Sequence, residues 1–111
     1  MQNERLVKLL EIATEAHSKI QADFSNIDPV IGVSQKMRSL GIPTDVMTID
    51  CLKSGKRILV VLNDQDPENV DYQYTFKQED PAEEFLQLPY SEMSSGIMYD
   101  WIKDYFSPVM N

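Results

Sequence analysis

Ile58-Leu59-Val60-Val61-Leu62 is the longest strictly aliphatic run in the chain, and it follows directly on the turn signal Lys53-Ser54-Gly55-Lys56. A short continuous apolar run beside turn residues reads as the central strand of a sheet, and it falls far short of the roughly 20 residues that span a bilayer. A chain that must flank such a strand needs neighbours on both sides and an apolar layer above it. Both are legible nearby. Before the turn, Met47, Ile49 and Cys51 alternate with Val46, Thr48 and Asp50 from Asp45 onward, the pattern of a half-buried strand that pairs with the central one as a hairpin. After Asn63-Asp64-Gln65-Asp66-Pro67-Glu68-Asn69, the residues Tyr72, Tyr74 and Phe76 alternate with Asp71, Gln73, Thr75 and Lys77, which predicts a third antiparallel strand.

The covering layer comes from the two ends. Leu6, Leu10, Ala13, His17, Ile20 and Phe24 recur at spacings of four and three, with Leu9 and Ala16 widening the stripe of an amphipathic helix. Asp28-Pro29 then supplies a cap and a first helical residue, and Val30, Val33, Met37 and Leu40 keep the 3.6 period until Gly41 and Pro43. The spacing therefore predicts a second helix and an N-terminal helical hairpin. Asp80-Pro81-Ala82-Glu83 reads as a capping box opening a short helix through Phe85 and Leu86 that ends at Pro89. After Ser91, the positions Met93, Ile97, Trp101 and Tyr105 form a last amphipathic helix that Pro108 stops. The expected architecture is a single α+β domain over residues 1–111, in the order αα-βββ-αα, with a three-stranded antiparallel meander covered on one face by helices.

Charge separates the chain into two halves. The net charge is -8. Residues 1–60 hold eight Lys/Arg and seven Asp/Glu, a balance of +1, whereas residues 61–111 hold two and eleven, a balance of −9. Phosphate contacts require Lys and Arg, so direct nucleic-acid binding is not expected. A basic protein is the partner that such a surface attracts, although an acidic surface also serves solubility alone. The N-terminus shows no secretory pattern, and the single cysteine has no intramolecular partner, which together point to the cytoplasm.

Chemistry-bearing motifs are few. His17, the only histidine, lies on the apolar stripe of the first helix and reads as a packed residue rather than a catalytic base. Cys51 sits on the Met47/Ile49 face of its strand, as a core thiol does. Zinc would need further histidine or cysteine ligands. Asp64, Asp66 and Glu68 imitate the opening of a calcium loop, but Asn69 stands where glycine is required and Thr75 where the bidentate glutamate should be. No cofactor or nucleotide fingerprint is present. The expected function is a non-enzymatic protein-binding module of adaptor, inhibitor, immunity or chaperone type. Its binding surface is expected in the acidic, tyrosine-rich C-terminal half, at Asp64, Asp66, Glu68, Asp71, Glu79, Glu83, Glu84, Tyr90 and Tyr99. The alternative is a small-molecule site or small enzyme with a pocket between sheet and helices, using His17 or the carboxylates. A dimer mate is a further way to cover the remaining sheet face.

Overall fold

A computed structural model describes residues 4–80 and 83–107. One long helix, α1 (Glu4–Asp23), is followed by strand β1 (Pro29–Ser34), the single turn α2 (Lys36–Ser39), and strands β2 (Thr44–Cys51), β3 (Lys56–Asn63), β4 (Asn69–Phe76) and β5 (Leu86–Pro89). A 3-10 turn at Tyr90–Glu92 leads into the last helix, α3 (Ser95–Phe106). The five strands are antiparallel and lie in chain order, each beside its sequence neighbour. No helix among the described residues is long and apolar enough to cross a membrane.

The α+β class holds, but the strand count does not: the sheet has five strands rather than three, and the N-terminal helical hairpin is absent. Val30 and Val33, read at helical spacing, belong to a strand. Three β-branched residues around a glycine disfavour helix and suit a pleated edge, and proline is tolerated as the first residue of an edge strand. The helical signal survives only as α2, where Lys36 and Arg38 lie just before the left-handed Gly41 (φ 88°). The short helix expected through Phe85 and Leu86 is likewise a strand. Leu86 and Leu88 alternate with Gln87 and pair with β4, Leu86 opposite Tyr72 and Leu88 opposite Val70. Pro81 and Ala82 of the expected capping box, and the expected stop at Pro108, lie outside the described residues.

The β2–β3 hairpin forms where the turn residues predict it. Gly55 takes φ 76°, its N–H donates to the Cys51 carbonyl at 2.9 Å, and its own carbonyl accepts from the Lys77 N–H at 2.7 Å. Strand alternation then places Met47, Ile49 and Cys51 on one face beside Ile58, Val60, Leu62 and Val70, all buried. Leu6, Leu9, Ala13, Ala16 and Ile20 of α1 cover this face, together with Met98, Ile102 and Phe106 of α3. The opposite face is more closed than its polar pattern implies: Leu59 and Gln73 are buried there, and the Gln73 amide donates to the Glu84 carbonyl at 2.8 Å. The β4–β5 connection therefore lies across the middle of β4.

Candidate partner-binding face

On β4, period-two alternation puts Tyr72, Tyr74 and Phe76 on the helix-covered face, and their neighbours come from the last helix. Trp101 stacks on Tyr72 with ring centres 4.2 Å apart, and Tyr105 leans against Tyr74 at 4.9 Å. Tyr72 and Tyr74 meet edge to face at 6.0 Å. Trp101 and Tyr105 are one helical turn apart, so one flank of α3 presents both to the strand. The last turn of α3 reaches the end of the strand, where the Tyr105 hydroxyl donates to the Thr75 carbonyl at 2.8 Å. Tyr74, Phe76 and, on β5, Leu86 remain exposed, Leu86 by 54%. The result is a row of aromatic rings, packed at one end and open at the other.

Carboxylates and one ammonium border this row. Burial, then the Tyr72 hydroxyl and the Asp104 carboxylate, push the Tyr74 phenol up to about 12. Burial and Glu79 raise the Tyr105 phenol in the same direction. Asp104 and Glu79 thus lie within electrostatic reach of the two rings. Lys56 Nζ stands over the Tyr105 ring at 5.0 Å and donates to the Tyr105 carbonyl at 3.0 Å. The chain itself thereby shows one cation seated on this surface, held by ring and carbonyl together.

The acidic residues singled out in the sequence do not form one surface. Asp64, Asp66 and Glu68 precede β4 and Glu79 follows it, so about 25 Å of strand separates the two groups. At the near end, Asp64 accepts from Arg38 at 2.9 Å and from Arg5 at 3.2 Å, which holds its carboxyl below the usual range, Arg38 contributing most. Asp66 accepts from the Asn69 side chain, Asp71 accepts from Gln87 at 2.8 Å, and Glu68 is exposed. Glu83 and Glu84 are exposed in the β4–β5 connection. The two tyrosines are engaged within the fold: the Tyr90 hydroxyl donates to the Arg5 carbonyl at 3.2 Å, and the Tyr99 hydroxyl donates to Asp23 at 2.6 Å. Among the nine residues, Glu79 acts electrostatically on Tyr105 of the aromatic row. Tyr72, Tyr74, Phe76, Trp101 and Tyr105 stand outside the nine residues expected from the sequence, although three aromatics at period two in the acidic half mark this strand face.

His17 Nε2 lies 2.8 Å from the Pro29 carbonyl, and Cys51 is buried. Among the described residues no group of three potential ligands is placed to hold a metal ion. A depression of about 650 Å³ opens between the end of α1 and the start of α3, where Tyr99 bonds Asp23 and the Ser94 hydroxyl caps the Ile97 N–H. In comparisons with known proteins, the chain matches no family model, no curated protein and no solved structure.

Proposed function

We propose that the protein is a non-enzymatic binding module whose partner brings a basic, partly apolar segment to the aromatic row of β4 and α3. The observation that carries this reading is the half-open series Tyr72, Tyr74 and Phe76 with Trp101 and Tyr105 beside it, bordered by Asp104 and Glu79. Aromatic anchors within a charged rim are what protein interfaces use for affinity and for orientation respectively. The Lys56 ammonium on Tyr105 supports a cationic side chain as the group that docks there. The −9 balance of residues 61–111 adds long-range attraction of the same sign preference.

Immobilised protein, incubated with host lysate at low and at high salt, tests the reading against Phe76→Ser and Asp104→Asn. Both side chains are exposed, so both variants should keep the wild-type circular dichroism. A partner released by salt and lost from each variant is the expected outcome. Recovery of the same proteins by wild type and by both folded variants would remove the aromatic row as the binding surface.

A further inference from the structure

Lys56 opens β3 and stands opposite Phe76 in the ladder with β4. Strand alternation puts its side chain on the face of Ile58 and Val60, which α1 and α3 cover, so it lies at the open end of the aromatic row. Two groups hold the ammonium there. The Tyr105 ring faces it at 5.0 Å, and the Tyr105 carbonyl accepts from it at 3.0 Å. That carbonyl lies at the C-terminal end of α3, where the helix dipole is negative. Ring face, lone pair and dipole together make a seat for a cation.

Lys56 does not balance the charge around this seat. Asp104 and Glu79, the carboxylates within electrostatic reach of Tyr74 and Tyr105, are both exposed. Among the described residues, the cations paired with carboxylates are Arg5, Arg38, Arg57 and Lys103, and their partners are Asp64, Asp45, Asp50 and Asp100. Lys56, Asp104 and Glu79 are in none of these pairs. Lys77, the residue after Phe76, alternates to the opposite face of the sheet. One ammonium thus stands near two unpaired carboxylates, held by a ring and a neutral carbonyl. Such contacts are individually weak where water reaches them, and the tether of the chain keeps the ammonium at the seat.

We infer that Lys56 is an internal competitor: it occupies the seat that a lysine of the basic partner takes, and the partner docks by displacing it. The inference rests on the aromatic row being the binding surface. A tethered group competes at a high effective concentration, so wild type binds a lysine-bearing segment weakly and gains affinity once Lys56 is removed. The incoming ammonium replaces the contacts that Lys56 gives up. Its flanking apolar residues also cover Tyr74 and Phe76, which Lys56 leaves exposed by 38% and 43%.

An NMR titration of the full chain with the blocked peptide acetyl-Leu-Lys-Leu-amide, followed at the Tyr74, Phe76 and Tyr105 signals, tests this beside the same peptide with norleucine for lysine. Lys56→Ala should bind the lysine peptide about tenfold more tightly than wild type, show no such gain for the norleucine peptide, and lose binding when Phe76→Ser is added. If Lys56→Ala loses its fold, Lys56→Met vacates the same seat and keeps an apolar stem. Equal affinity of wild type and the folded Lys56 variants overturns the inference. Where that shared binding is still lost on Phe76→Ser, the aromatic row stands as the binding surface without an internal competitor. A gain equally large for the norleucine peptide also overturns it, because the removed bulk and not the vacated charge would then be responsible. Binding of the peptide by none of the forms removes lysine as the docking group, and the competitor role with it.

Discussion

Asp45 is the most completely buried charged side chain described, and its partner is only partly so: the Arg38 guanidinium keeps 33% of its side-chain surface exposed against 0% for Asp45. Arg38 grips Asp45 through two bonds of 3.0 Å and reaches Asp64 with two more. The arrangement ties α2 to the start of β2 and to the β3–β4 turn. Removing one member of a buried pair strands the other, at 3–5 kcal/mol for fully enclosed pairs. For Asp45→Ala we expect about 2 kcal/mol lost in urea denaturation, less because Arg38 reaches water and retains Asp64. Asp64 belongs to the same cluster but titrates. Its folded carboxyl ionises below the usual range, so its contribution is present above the unfolded carboxylate value and disappears as pH falls through the lower folded one. Acid unfolding of Asp64→Asn should show a shallower loss of stability across that window than wild type, and equal slopes would show that the cluster does not couple to the fold.

At the scale of elements, agreement between signals decided what was readable. β2 and β4 alternate with a period of two, β3 is a continuous apolar run, each lies beside an explicit turn, and all three appear where expected. β1 was hidden because Val30, Val33, Met37 and Leu40 satisfy a 3.6 period by coincidence, and Asp28-Pro29 imitates a helix start. The correct reading needed β-branching and Gly32 to outweigh spacing. β5 was hidden by brevity: four residues carry too little pattern to compete with a capping-box signal, and only pairing with β4 defines them. The aromatic row proposed as a binding face was not legible for a different reason. Alternation gives the face of Tyr74 and Phe76 but not where α3 ends over it, since that depends on helix placement. The β2–β3 turn was readable because it relies on backbone geometry. Gly55 holds a φ of 76° with open space around its missing side chain, so Gly55→Ala meets backbone strain alone. We expect a loss of about 1 kcal/mol in thermal or chemical denaturation. No loss would mean that the turn relaxes to another geometry.

Across the whole molecule, the sheet is local and the helix layer is not. Each strand bonds the next one in the chain, with β1 and β5 never meeting. The helices reverse this economy: α1 precedes the sheet, α3 follows it, and the two pack side by side over one core. Contacts such as Tyr90 to Arg5 and Tyr99 to Asp23 join residues 85 and 76 positions apart. A chain emerging from the ribosome would therefore zip its hairpins in order, each across a short loop, while the apolar stripe of α1 waited for its cover. Until α3 is made, Leu9, Ala16 and Ile20 have half a roof, and the nascent chain is in its stickiest form after most of it has already folded.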